Sequence, residues 1–145
     1  MKVRNDYRHC LTNMSNSIRK YFSLKTYHNS LPVLDDILER RKPKNVVMFL
    51  LDGMGNNILN RVMDPDCFLN THRRDVLTSV FPATTTAATT SIITGNTPTE
   101  HGWLGWNTYI PKIGKTITMP TYITDKYGPT SNMTGKPWYL TLPSR

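Results

Sequence analysis

The hydrophobic pattern changes period several times along the chain, and each change marks an element. Over residues 31–40 the apolar positions Leu31, Leu34, Ile37 and Leu38 recur at helical spacing. This predicts an amphipathic helix with Pro32 in its first turn and Arg40 and Arg41 complementing its C-terminal dipole. Its apolar face is expected to pack on a sheet. Val46 to Leu51 then form an unbroken apolar run between Asn45 and Asp52-Gly53, which predicts a strand buried on both faces, the central parallel strand of a sheet. Ile58, Leu59 and Val62 predict a helix after Gly53 and Gly55, stopped by Asp64-Pro65. Residues 75–81, with β-branched content, predict a second strand broken by Pro82, and Thr84 to Thr94 predict a helix closed by Gly95.

Helix, strand, helix, strand, helix is the order of an α/β fold with a mostly parallel sheet flanked by helices, because parallel strands need crossover connections. Before this alternation, residues 1–30 are polar and basic, with Ile18, Tyr21, Phe22 and Leu24 suiting a short amphipathic helix capped by Ser15 or Ser17. After His101 the pattern decays. Trp103, Trp106 and Tyr109 lie among glycines, residues 116–119 suit a strand, 125–137 read as loop, and 138–145 suit one more short strand. The expected organisation is a basic leader over 1–30, a catalytic-type body over 31–128 and an irregular tail over 129–145.

Composition narrows the class. At 145 residues the chain holds one domain's worth of core. With 38% hydrophobic and 19% charged residues and a mean hydropathy of −0.43, it has no run of the ~18–20 apolar residues a membrane-spanning helix needs. No membrane partner is expected. The net charge of +8 permits an anionic partner, but residues 1–44 carry ten Lys/Arg against Asp6, Asp35, Asp36 and Glu39, so most of the excess sits in the leader. Cys10 and Cys67 have neither disulfide density nor metal-binding spacing and are expected as free thiols. No signal-peptide pattern follows Met1, so the cytoplasm is the expected compartment.

The candidate chemistry sits at the ends of the two predicted strands. Asp52 directly follows the apolar run, at the strand's carboxyl end, where open α/β sheets place ligands. A carboxylate there suits a zinc, manganese or magnesium ion, and it equally suits an N-cap of the next helix. The second strand delivers Thr84, Thr85 and Thr86 to the same edge at a helix start. Helix amides and dipole favour an anion there, so a phosphate could be held while a threonine hydroxyl, ionised by a neighbouring metal, attacks its phosphorus. N-capping is the ordinary role of threonine at such a place, and it is the convergence with Asp52 that favours half of a metallohydrolase site. His101, in the turn after Gly95, suits a ligand or a structural hydrogen bonder. His9, His28 and His72 are not assigned to the site, since none sits at a strand end or pairs at metal-binding spacing.

Asn45-Val-Val-Met-Phe-Leu-Leu-Asp-Gly-Met-Gly, followed by Phe81-Pro-Ala-Thr-Thr-Thr, Thr94-Gly and Pro98-Thr-Glu-His-Gly, resembles the alkaline phosphatase superfamily, in its nucleotide pyrophosphatase and type I phosphodiesterase branch. The blocks span roughly residues 30–125, and Phe-Pro-x-x-Thr, Thr-Gly and Pro-x-x-His-Gly in series are the specific part. The resemblance implies an alkaline phosphatase-like fold and hydrolysis of phosphate esters, with nucleotides and other small phosphate esters as substrates. It further implies that Asp52 is a ligand of one of two divalent metal ions, zinc by the family's habit, and that Thr85 is both metal ligand and nucleophile, forming a phosphothreonine. The branch often carries a phosphate-binding asparagine shortly after His-Gly; ungapped counting brings Trp106 to that place, with Asn107 beside it as the candidate. The downstream Asp and His ligands of the superfamily have no counterpart, since no Asp follows Asp125 and no His follows His101. The expectation is therefore an incomplete fold, the N-terminal part of a longer enzyme, nearly inactive alone. A phosphomonoester, phosphonate or sulfate-ester hydrolase is the alternative within the class, and a non-catalytic basic nucleic-acid-binding module the alternative outside it.

Overall fold

The structure, a computed structural model, describes residues 5–112, 114–118, 123–124 and 128–129. Its helices are α1 (Leu11–Tyr21), α2 (Pro32–Arg41), α3 (Asn56–Val62), α4 (Phe68–Thr71), α5 (Thr85–Thr94) and α6 (Pro98–His101), followed by β1 (Asn107–Ile110), β2 (Lys115–Thr118), β3 (Ile123–Thr124) and β4 (Gly128–Pro129). The predicted strand over 138–145 lies outside the described residues. No described helix is long and apolar enough to cross a membrane.

The leader helix forms, but on a different face from the expected one. Its N-cap is Cys10, whose N–H is accepted by Asn13 Oδ1 at 2.9 Å. Ser15 and Ser17 are not caps; they lie inside α1, buried together with Thr12, Asn13 and Asn16. Phe22 and Leu24, counted toward the apolar face, are exposed instead. The buried face of α1 is polar, a pattern to which a search for apolar periodicity is blind. It can be buried because its groups are paired: Ser15 Oγ donates to the Ile92 carbonyl at 2.7 Å, and Ser17 Oγ accepts the Leu31 N–H at 2.8 Å.

The helix α2 has Pro32 in its first turn and ends at Lys42, with Leu31 and Leu38 buried. It packs on α1 rather than on a sheet. Lys20 Nζ and Ser30 Oγ each donate to Asp35 Oδ2 at 2.6 Å. Burial alone would raise the Asp35 pKa, but these donors outweigh it and hold the carboxyl below its ordinary value.

The expected mostly parallel sheet is not seen among the described residues. Residues 46–51 form no strand, and their side chains are open to solvent, Val47 by 75% and Phe49 by 85%. A doubly buried strand needs a hydrogen-bonded neighbour on each side and cover on both faces. Among the described residues no segment supplies the neighbours. The sheet that is described is antiparallel, in the order β1-β2-β3-β4, with Asn107 opposite Thr118 and Ile110 opposite Lys115. The second predicted strand, 75–81, reduces to one parallel bridge between Thr78 and Cys10, with the Thr78 N–H donating to the His9 carbonyl at 3.1 Å. Asn5 Nδ2 donates to the Ser79 carbonyl at 2.8 Å and Tyr7 accepts the Phe81 N–H at 3.0 Å, so this segment is tied to the N-terminus along its length.

The helix α5 begins and ends where its sequence predicts. Thr84 caps it by accepting the Ala87 N–H at 3.3 Å, and Gly95 closes it at φ +76°. The α1–α5 seam centres on Asn16. Its Nδ2 donates to the carbonyls of Thr12 and Gly95, both at 2.8 Å, and its Oδ1 accepts from the N–H groups of Tyr27 at 2.8 Å and His28 at 3.3 Å. All four hydrogen-bonding capacities of the carboxamide are filled. A Cβ at residue 95 would stand 3.1 Å from Arg19 Cδ and 3.3 Å from Asn16 Nδ2.

Asn16→Ala leaves several buried backbone groups unpaired and is expected to lower stability in urea denaturation by about 2–4 kcal/mol, at ~1–3 kcal/mol for a buried group left without a partner. Gly95→Ala adds a left-handed-region cost of roughly 1–2 kcal/mol to its close approach to Arg19 and Asn16. A variant of either kind with an unchanged midpoint would mean that the seam is not what holds the helices together.

Candidate active site

Asp52 stands on the turn between the apolar run and α3. Gly53 supplies the positive φ of that turn, +71°, and the Met54 N–H reaches back to the Leu51 carbonyl at 3.4 Å. The cap reading of Asp52 does not hold, because α3 starts after Gly55 and carries no side-chain cap. The carboxylate instead meets α5. Thr85 Oγ1 donates to Asp52, 3.3 Å from Oδ1 and 3.5 Å from Oδ2, across 33 positions of sequence. These are long contacts for an O–H donor, so hydroxyl and carboxylate are adjacent but not tightly bonded.

The three consecutive threonines have separate tasks. Thr84 is the N-cap, and its hydroxyl also lies 3.2 Å from the Leu104 carbonyl, which docks the 104 segment onto the start of α5. Thr86 is buried. Thr85, half-buried, faces Asp52 from the first helical position. Both residues line an open cleft of about 670 Å³, shared with Asn56, Arg73, Asp75 and Thr84. Asn107 does not line it; the residue sits exposed at the start of β1.

Arg73 is a residue of the cleft that the sequence reading passed over. Its Nη1 donates to Asn56 Oδ1 and Asn60 Oδ1, each at 2.7 Å. The two asparagines are one turn apart on α3, a spacing visible in the sequence. The donor that joins them comes from beyond α4, and no local pattern announces it.

His101 is structural. The Trp103 N–H donates to its Nδ1 at 3.1 Å, which places the proton on Nε2, 2.9 Å from Ser91 Oγ. Burial holds its pKa below the ordinary value, so the ring is neutral. The other histidines serve local contacts: His9 pairs with Asp75 at 3.0 Å, His28 with Glu100 at 2.7 Å, and His72 stacks on Phe68. Burial opposes ionisation of Glu100, but the N–H and hydroxyl of Thr97 and the His28 ring outweigh it and bring the pKa down to about 2. Among the described residues no group of three or more His, Cys, Asp or Glu side chains converges to hold a metal ion.

Residues 46–144 match the family model described as type I phosphodiesterase / nucleotide pyrophosphatase, a branch of the alkaline phosphatase superfamily. The matched span contains Asp52, Thr85, His101 and Asn107 and begins at the apolar run. Comparison with curated proteins and with solved structures finds no match.

The neutral His101 makes stability depend on pH. Its folded pKa lies below the unfolded value near 6.5, so the unfolded chain takes up the proton first. The contribution is complete above that value and is lost as the pH falls through it toward the folded pKa. Urea midpoints measured between pH 7.5 and 5.5, above the carboxylate range, are expected to fall with pH, and to fall less in His101→Gln. Equal slopes for both proteins would contradict the neutral, half-buried ring.

Proposed function

Since the chain belongs to the type I phosphodiesterase / nucleotide pyrophosphatase family, we propose that it supplies the nucleophile of a phosphate-ester hydrolase, Thr85, which is transiently converted to phosphothreonine. The family acts on nucleotide and phosphate-ester substrates and is generally metal-dependent. One observation carries the assignment to Thr85: of the three adjacent threonines, it alone directs its hydroxyl at the Asp52 carboxylate in the cleft.

The chemistry follows from the placement. Thr85 Oγ attacks phosphorus as the bond to the leaving alcohol or phosphate breaks, and the hydroxyl proton passes to Asp52, the acceptor beside it. The first-turn amides of α5 and its dipole stabilise the negative charge that builds on the phosphoryl oxygens. Water then attacks the same phosphorus, the Thr85–phosphorus bond breaks and Oγ takes back the proton held by Asp52, while the proton that the water loses goes through solvent to the departed alkoxide or phosphate. Asp52 and Thr85 offer two oxygen donors, short of the three protein ligands a catalytic zinc takes, so the described residues do not by themselves fit a zinc centre. Asn107 is proposed as a phosphate contact only by its place in the matched span, since it does not line the cleft.

Mixing the chain with an activated aryl phosphate ester, quenching in acid and mapping the peptides by mass spectrometry tests the assignment. A phosphoryl label is expected on Thr85, absent from Thr85→Ala, reduced about 100-fold or more in Asp52→Asn by loss of the proton acceptor, and retained in Thr86→Ser. A label on another residue, or undiminished labelling in Thr85→Ala, would sink the proposal.

A further inference from the structure

We propose that Arg73 is the phosphate-binding fork of the cleft, taking two oxygens of one phosphate group of the substrate. The proposal rests on the reading of the cleft as a phosphate-ester site and adds to it a residue that contacts the substrate.

Donor arithmetic carries the argument. A guanidinium has five N–H bonds, two of them on Nη1. The 2.7 Å contacts to Asn56 Oδ1 and Asn60 Oδ1 occupy Nη1. What is left is Nε–H and the Nη2–H pair, and the Nε/Nη2 edge is one that matches two oxygens of a single phosphate. The acceptors that hold Arg73 are neutral carboxamides, so they orient the group without cancelling its charge. Among the described residues no Asp or Glu lies within ion-pair distance of it, whereas Arg8 and Arg40 are paired with Asp6 and Asp36.

Location makes that charge useful. Arg73 lines the same cleft as Asp52 and Thr85, and it is held by Asn56, four positions after Asp52. A phosphate approaching Thr85 meets the Asp52 carboxylate, a like charge that repels it. A cation without a carboxylate partner in the same cleft offsets the repulsion. A purely structural role, in which Arg73 only ties the segment after α4 to α3, would be served as well by a carboxylate acceptor at residue 60, and this separates the two possibilities.

Calorimetric titration of the chain with inorganic pyrophosphate and with orthophosphate provides the test. The wild type and Thr85→Ala are expected to bind pyrophosphate alike. Arg73→Gln should bind roughly tenfold more weakly or worse, as expected for loss of a charge-assisted fork. Asn60→Asp, which keeps the tie and neutralises the cation, should weaken binding similarly while its circular dichroism and urea midpoint stay at or above wild type. Equal losses with both anions assign the fork to the reacting phosphate, and a loss confined to pyrophosphate assigns it to a second one; either supports the proposal. No pyrophosphate binding by the wild type at millimolar concentration, or wild-type affinity in Asn60→Asp, overturns it. Thr85 is judged separately: Arg73-dependent binding with no label on Thr85 would sink the nucleophile alone. Labelling of Thr85 with an unchanged concentration dependence in Arg73→Gln would sink the fork alone.

Discussion

One carboxamide, that of Asn16, joins the ends of three segments that are far apart in sequence. It binds the preceding turn of α1, the last carbonyl at the end of α5 and the chain entering α2. Among the described residues the apolar core is small, with Cys10, Leu31, Leu38, Val80, Ala87, Ile92 and Pro98 buried. Non-directional burial of so few side chains would tolerate sliding of α5 along α1. Hydrogen bonds do not, because a shift of one residue would separate Ser15 from the Ile92 carbonyl and Asn16 from the Gly95 carbonyl and leave buried, unpaired groups. The seam therefore fixes the position of α5 along its axis. Over ten residues at about 1.5 Å each, that position is carried roughly 15 Å from Gly95 to Thr85.

The charge of the chain is organised differently from its sum. Much of the leader's positive charge is spent within the fold: Lys20 on Asp35, Arg8 on Asp6, and Arg19 on the Lys25 carbonyl and the face of Tyr27. The cleft is lined by acids and a base, Asp52 and Asp75 with Arg73, and Asp75 is paired with His9 rather than with the arginine. A net charge of +8 thus says little about the site. What matters there is which charged group is held by neutral partners and which by an opposite charge.

Features announced by local chemistry were legible in the sequence. Pro32, Asp64-Pro65 and Gly95 bound α2, α3 and α5 closely because proline and glycine act on the backbone at their own positions. Asp52 and Thr85 could be singled out since each adjoins such a boundary. The face of α1 was illegible because Thr12, Asn13, Ser15, Asn16 and Ser17 read as solvent-facing until their partners, up to 79 positions away, are known. The run from Val46 to Leu51 shows the reverse case. Apolar composition states that a segment requires cover, but cover is a property of its neighbours. Arg73 belongs with the first of these: its acceptors have a regular spacing, but an arginine in a connecting segment looks like any other surface charge.

The bridge between Cys10 and Thr78 and the contacts of Ser15 and Asn16 with Ile92 and Gly95 also set an order of events during synthesis. The helix α1 is made before α5, and although Asn13, Asn16 and Ser17 have partners 11–16 positions on, the α5 partners of Ser15 and Asn16 come only after some 77–79 further residues. At about 5–20 residues per second, that is a wait on the order of 4–16 s on the ribosome. An isolated helix of eleven residues is marginal in water. The α1–α5 seam closes only when the helix bearing Thr85 has been made, whereas the contacts of α1 with residues 27–31 and with α2 do not depend on it.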